Sequence, residues 1–392
     1  MSNNSKPKKS LFEVINALPT EKREELEQAS KSYFQQIDDL LVDEEAQLYL
    51  SQWKEPKFKT NQDGDFDFTF IDLFAGIGGF RMALQELGGR CVFTSEWEKQ
   101  AQETYFENFG DIPYGDITAQ ETKAAIPKKF DVLCAGFPCQ AFSIAGKRGG
   151  FEDTRGTLFF DVAEIIKRHQ PKALFLENVK GLVNHKSGKT LATILNVLRN
   201  DLGYIVPEPR ILNAKDYGVP QNRERIFIIG FRKDYMEAAE QFAYPEPSGK
   251  KVAIRRILEK GTVPARYYLS KRYLQTLKDH RARHAAKGNG FGYEVIGHDE
   301  IANAIVVGGM GRERNLVKVM PDHELVPETN IKGGINQEGI RKMTPREWAR
   351  LQGFPDDFEF PVADVHCYKQ LGNSVAVPAI QATAKELLKI IS

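Results

Sequence analysis

Cysteine is scarce. Cys91, Cys134, Cys139 and Cys367 are the only four in 392 residues, none at CxxC spacing and none beside a cluster of histidines. That scarcity argues against a disulfide framework and a structural zinc site, so no metal is expected, and a reducing, cytoplasmic compartment is. Long apolar runs are missing too. None approaches the roughly 20 residues that cross a bilayer, and the amino terminus lacks the apolar stretch of a secretory signal, so no membrane association is expected. An excess of one charge is also absent. Lys and Arg number 54 against 53 Asp and Glu, a formal net charge of +1, so any polyanion must be met by local clustering. What remains is ordinary globular composition, 41% apolar, in a chain suited to one large or two moderate domains.

The first ten residues are polar and basic. Across 20–50, Leu26, Ala29, Tyr33, Ile37, Leu40 and Leu41 recur at threes and fours, one face of a helix, with Thr20 as an N-cap before the acids that follow. Residues 1–67 therefore read as a helical extension closed by the polar, glycine-containing linker 61–65. From Phe66, alternation through Phe68 and Phe70 passes into a fully apolar run, the signal of a strand. Similar runs at 90–96, 130–135, 173–177 and 225–231 alternate with helical patterns at 80–87, 99–109, 158–169 and 188–202. Strand and helix in turn predict βαβ units, an α/β fold with a mostly parallel sheet, and a ligand crevice at its carboxyl edge. The alternation, which defines a first domain over 68–245, stops near Tyr244. Residues 246–335, richer in Gly, Lys, Arg and His, read as a smaller irregular domain; 336–392 returns to the first, with helical pattern from Arg341.

Cys139 stands in Gly136-Phe137-Pro138-Cys139-Gln140, directly after an apolar strand, where a Pro-stiffened turn would face that crevice. A cysteine there is a nucleophile only if its surroundings favour the thiolate. Lys147, Arg148 and Arg155 supply cations downstream, and Gly146, Gly149, Gly150 and Gly156 supply hinges. Packing is the plainer use of one strand-end cysteine. Phe74-Ala75-Gly76-Ile77-Gly78-Gly79 follows the first strand and opens a helix, so backbone can approach a ligand closely. Its glycines are too compact for the GxGxxG dinucleotide pattern. Glu96, about 20 residues on, ends the next strand, where a carboxylate grips ribose hydroxyls. With Asp116 placed after a third strand, the pattern points to an adenosyl-type cofactor. Trp97 either stacks on its adenine or packs in the core. Glu177 ends the run that begins at Ala173 and is expected near Cys139 across neighbouring strand ends, its pKa raised by burial. Gln221-Asn222-Arg223-Glu224-Arg225 leads into another apolar strand; its alternate arginines leave one face together, either solvated or fixed in the crevice. Nucleophile, acid and cations in one crevice form the constellation expected of an active site.

In order along the chain, Phe74-Ala75-Gly76-Ile77-Gly78-Gly79, Pro138-Cys139-Gln140, Glu177-Asn178-Val179, Gln221-Asn222-Arg223-Glu224-Arg225, Arg346-Glu347-Trp348-Ala349-Arg350-Leu351-Gln352-Gly353-Phe354-Pro355 and Gly372-Asn373-Ser374-Val375 resemble the motifs of the bacterial DNA (cytosine-5)-methyltransferases. The resemblance runs from about Phe68 to the carboxyl terminus and leaves residues 1–67 outside it. It implies a Rossmann-like S-adenosylmethionine-dependent methyltransferase domain, with 246–335 in the place of the target-recognition domain. It also implies a mechanism. Cys139 would add to carbon 6 of a cytosine flipped out of duplex DNA, at roughly a few kcal/mol, turning the ring into an enamine that accepts a methyl group at carbon 5. Glu177 would bond N3 and the exocyclic amine, and Arg225 would hold the carbonyl oxygen. Arg223 would support that contact or the phosphate backbone. Loss of the carbon 5 proton would then expel Cys139, with no metal.

By the same resemblance, cofactor contacts would fall on Phe74, Ala75, Gly76 and Gly78 in the first turn, and on Glu96, Trp97, Asp116 and Ile117 after the second strand. Gly136, Leu158, Asn373 and Val375 would complete them. The segment 140–155 would close over the base, with Gln140, Ser143 and Arg155 on the DNA side. In 246–335, Arg312 and Arg314 would read guanine edges or remain in a solvated turn. Lys271, Arg272, Arg281, Arg283 and Lys287 would meet phosphates. Where the family often shows Thr followed by Leu or Val, this chain has Ala304-Ile305-Val306-Val307. The implied partner is double-stranded DNA, the implied state a monomeric cytoplasmic bacterial enzyme, and the implied counterpart a restriction endonuclease without a stable complex. Two alternatives share much of this pattern: methylation of tRNA, and a catalytically silent DNA-binding relative. The second predicts degraded catalytic positions, yet Cys139, Glu177 and Arg225 are present. A nicotinamide-dependent oxidoreductase fits worse, because Pro138-Cys139 has no role there.

Overall fold

The computed structural model describes residues 57–58, 66–138, 158–290, 292–307, 312–326 and 334–392. The helix expected within 20–50, the linker 61–65, and Cys139, Gln140, Ser143 and Arg155 lie outside the described residues.

Apolar residues on both faces of each strand require cover on both faces of the sheet, and the fold supplies it. Strand β1 (Phe68–Leu73) is followed by α1 (Gly79–Gln85), β2 (Gly89–Ser95), α2 (Lys99–Phe109) and β3 (Val132–Gly136). Then come α3 (Leu158–His169), β4 (Ala173–Val179) and α4 (Lys189–Asn196). The four strands are parallel, in the order β2-β1-β3-β4. Along β1, Phe68 and Phe70 enter one core while Ile71 and Leu73 enter the other. The second of these cores also holds Val162 and Ile166 of α3 and Ile194 of α4. The helical pattern of 188–202 is shorter in fact: α4 ends at Asn196 and the chain continues through a π-turn, Val197–Asp201.

The sheet then reverses. β5 (Arg210–Asn213), the two-residue β6 (Gln221–Asn222) and β7 (Glu224–Phe231) follow, and β7 lies antiparallel to both β4 and β5. This reversal sets the amino end of β7 beside the carboxyl end of β4, with Arg225 opposite Val179.

A smaller core lies beyond. α5 (Lys271–Ala285) buries Leu274 and Leu277 against Leu269, Leu316 and Ile340, over a sheet of β8 (Val295–Ile296), β10 (Leu316–Lys318) and β11 (Ile340–Lys342). Between β8 and β10, β9 (Ala302–Asn303) crosses to pair in parallel with β6. The helical pattern expected from Arg341 begins later, because Ile340–Lys342 is a strand. α6 (Pro345–Gln352) starts behind Thr344, whose hydroxyl accepts from the Glu347 N–H while its own N–H donates to the Glu347 carboxylate, a capping box. Glu347 also receives both Nη atoms of Arg341 at 2.7 Å, an ion pair with neither side chain exposed. α7 (Asp364–Asn373) and α8 (Val377–Ile391) return to the first core, where Leu371, Ile380 and Leu387 are buried. Among the described residues no helix is long and apolar enough to cross a membrane, and no group of metal-ligating side chains is assembled.

Candidate active site

Strand order reverses between β1 and β3, and the crevice at such a point is where an open α/β sheet takes its ligand. The turn leaving β1 is bent tightly: Phe74, Gly76 and Gly78 have φ of 57°, 56° and 84°. A Cβ on Gly76 would meet open space, whereas one on Gly78 would lie 2.3 Å from the Phe109 ring. Gly78 therefore lets α2 pack beneath the turn and does not line the crevice.

The Gly76 N–H donates to Glu96 Oε2 at 2.9 Å, and the Glu98 N–H donates to Glu96 Oε1 at 2.8 Å. The end of β2 is thus tied to the turn after β1. Burial raises the Glu96 pKa, and these backbone donors oppose the rise. Trp97 is 76% exposed, which sets aside core packing. The strand expected before Asp116 is missing; only a bridge joins Tyr114 to Ser95. Asp116 is exposed, with its carboxylate accepting from the Thr118 N–H. Ile117 is buried in the second core, and Leu158 opens α3 half-buried. Neither these two nor Asp116 line the crevice, whereas Phe74, Ala75, Gly76, Glu96, Trp97, Gly136, Asn373 and Val375 do.

The crevice is a cleft of about 440 Å³, within the usual range of small-molecule sites. Within it Glu177 and Arg225 form an ion pair, Oε1 to Nε 3.1 Å, with side chains 9% and 17% exposed. Burial pushes the Glu177 pKa up, opposed first by Arg225 and then by Arg223. Asn178, the next residue, donates from Nδ2 to the Phe137 carbonyl at 2.8 Å. That bond holds the turn carrying Pro138, the residue before Cys139, against the cleft. The other cysteines are poor thiolates: loss of hydration pushes Cys91 up to about 12 and Cys367 to about 11, and Cys134 well up.

The two arginines of the Gln221–Arg225 stretch part company. Arg223 is buried and donates from Nη1 to the Ile305 carbonyl at 2.7 Å. Its Nη2 reaches the Gly372 and Ser374 carbonyls at 3.1 and 2.7 Å. Its Nη atoms are thus occupied by main-chain carbonyls, although Arg223 also borders the cleft beside Arg225. Arg312 and Arg314 are exposed, the former with its guanidinium 5.2 Å from the Tyr368 ring centroid, and neither lines the cleft. Sequence reasoning missed Val306 and Val307, which are 46% and 45% exposed and line the cleft opposite no expected role. Their available signal was an apolar pair just before a glycine run, read only as a departure from a motif.

The C-5 cytosine-specific DNA methylase family model matches residues 68–389. The chain is 67% identical over 353 residues to the type II methyltransferase M.HpaII of Haemophilus parainfluenzae, covering 90% of this chain and 97% of that protein. It is 41% identical over 325 residues to the type II methyltransferase M.HhaI of Haemophilus parahaemolyticus, covering 80% and 92%. Among solved structures, an Entamoeba histolytica methyltransferase, EhMeth, superposes with a TM-score of 0.62 at 18% identity, over 83% of this chain and 99% of that one. The S. pombe Dnmt2 methyltransferase does so with a TM-score of 0.60 at 20% identity, over 83% and 99%. Likeness at such identity speaks to the fold alone. Sequence matches across the whole described fold carry the assignment further: the chain belongs to the C-5 cytosine-specific DNA methylase family and is a DNA cytosine-5 methyltransferase.

Proposed function

We propose that this chain methylates carbon 5 of a cytosine extruded from a short specific sequence in duplex DNA, using S-adenosylmethionine and a covalent bond from Cys139. The observation that supports this best is the largely buried Glu177–Arg225 pair lining the same cleft as the open turn at Gly76. An acid whose pKa burial raises, beside a fixed cation, suits the N3 and carbonyl oxygen of a flipped pyrimidine.

The turn end of the cleft fits the donor. Gly76 leaves room for backbone approach, Glu96 presents a carboxylate beside it, and Trp97 offers a ring face. Phe74, Ala75, Gly136, Asn373 and Val375 would complete those contacts. S-adenosylmethionine, when bound, supplies a methyl group activated by its sulfonium. The protein's own work is at the base. Cys139 sulfur bonds to carbon 6 while N3 takes up charge against Glu177, which donates a hydrogen bond or its proton there. Arg225 holds the carbonyl oxygen as electron density moves onto it. After methylation the carbon 5 proton is lost to solvent, its electron pair expels sulfur from carbon 6 as the thiolate, and any proton taken up at N3 returns to Glu177, restoring the aromatic ring and the acid. Residues 68–245 and 336–392 form the catalytic unit in this reading, and 246–335 the recognition unit. The relatives are type II methyltransferases, which favours a role in protecting DNA from a cognate restriction endonuclease.

The experiment is methyl transfer to duplex DNA and to bulk tRNA, with a parallel incubation on duplex DNA carrying 5-fluorocytosine. Fluorine cannot leave as a proton does, so the wild type should form a denaturation-resistant adduct and Cys139→Ala should not. Turnover by Cys139→Ala, or preference for tRNA, would overturn the proposal.

A further inference from the structure

Arg223 is buried and, among the described residues, no carboxylate is hydrogen-bonded to it, an arrangement that costs more than an apolar side chain of the same size. Its partners show what the burial accomplishes. Strand β6 pairs with β9 through Gln221↔Ala302 and Asn222↔Asn303. Two residues past β9, Ile305 has both main-chain polar groups taken by side chains of the catalytic unit. Its N–H donates to Gln221 Oε1 at 3.0 Å, and its carbonyl accepts from Arg223 Nη1 at 2.7 Å. The other ends of the same two side chains grip the carboxyl-terminal helices. Gln221 Nε2 donates to the Leu351 carbonyl at 2.8 Å, and Arg223 Nη2 to the Gly372 and Ser374 carbonyls. Gln221, Ile305 and Leu351 are wholly buried.

Directly after this grip come Val306 and Val307, which wall the cleft that also holds Glu177 and Arg225. Their approach to α7 is close. A Cβ on Gly372 would lie 2.8 Å from Val307 Cγ2 and 3.1 Å from the Val307 nitrogen. One short stretch thus does two things: Arg223 seats the Ile305–Val307 segment, and Arg225, two positions on, faces the base site. We infer that Gln221 and Arg223 form a latch that fixes the recognition unit's Val306–Val307 wall against the base pocket, making Arg223 a positioning residue for the choice of target cytosine. The inference rests on 246–335 being the recognition unit. A lysine cannot replace it, because one ammonium lacks the planar fork that reaches Ile305 on one side and Gly372 and Ser374 on the other.

The test measures initial rates of methyl transfer against DNA and against S-adenosylmethionine, together with bisulfite sequencing of the methylated plasmid. Two variants disturb the seam from opposite sides: Arg223→Lys loosens the grip, and Gly372→Ala pushes on Val307 while leaving the Arg223 guanidinium and the Gly372 carbonyl that accepts from it chemically intact. Both should lower kcat/KM for DNA by about 10- to 100-fold, with a raised KM for DNA as part of it, since small misplacements at a site cost rate on that order. They should also methylate cytosines outside the wild-type site, while the KM for S-adenosylmethionine moves less than that for DNA. Should Arg223→Lys fail to fold, Gly372→Ala decides, because alanine is at home in a helix. Loss of kcat with site choice unaltered in Gly372→Ala overturns the latch. Absence of duplex methylation by the wild type would instead count against the functional reading.

Discussion

Glu177→Gln tests the acid in isolation. Glutamine keeps the size of the side chain, and its amide oxygen can still accept from Arg225 Nε, 3.1 Å away in the wild type. The amide can also donate to N3 and accept from the exocyclic amine of a cytosine, so base binding should survive. What is lost is a proton that can move. Burial raises the Glu177 pKa, so the protonated acid persists to higher pH than an ordinary glutamic acid would allow. Positioned proton transfer contributes roughly 10²–10⁴-fold, or about 3–5 kcal/mol of barrier. Single-turnover methyl transfer at saturating DNA should therefore slow by that factor, with DNA affinity close to wild type. In the wild type the advantage should fade as pH rises through the raised pKa of Glu177, whereas the variant, having no acid to titrate, should lack that alkaline fall. A variant within ten-fold of wild type at every pH would refute the assignment of Glu177 as proton donor.

Arg341→Met should cost about 3–5 kcal/mol in chemical denaturation, because it strands the Glu347 carboxylate in the interior. Replacing both partners with apolar residues should cost less than that single change. Asp72 is wholly buried, neither carboxylate oxygen has a hydrogen-bond partner among the described residues, and burial pushes its pKa up to about 8. Its folded pKa exceeds the unfolded value of about 3.9, so its contribution to stability is full below that value and is lost as pH climbs toward 8. Asp72→Asn should flatten that decline in a urea titration series; an unchanged slope would contradict the burial argument.

Much of the first domain was legible because its signals are local. The helices at 99–109 and 158–169 have the observed bounds, and the five apolar runs expected as strands are found within a few residues, though the strand expected before Asp116 is not. What was not legible depends on distant partners. β5 has four residues, two of them exposed, and exists as a strand only because β7 supplies its hydrogen bonds. Strand direction leaves no mark on an apolar run, so the reversal of β7 was invisible. Ile340–Lys342 reads as the approach to a helix because only a partner strand at Leu316–Lys318 makes it otherwise.

The same distinction separates Glu177 from Arg223 within the site. Glu177 could be placed from its own strand, since an acid closing a wholly apolar run in a parallel sheet has one crevice to face. Arg223 could not, because alternation along a strand shows which side a residue leaves from and not what waits there. The residues waiting are Ile305, Gly372 and Ser374, separated from it by 82, 149 and 151 positions. The reversal of β7 is what joins the two cases. Had β7 run parallel to its neighbour, its amino end would lie at the opposite edge of the sheet, and Arg225 could not sit 3.1 Å from Glu177. An antiparallel strand brings the start of one strand to the end of another. That lets a single short stretch place one arginine at the base pocket and send the other into the seam with the recognition unit.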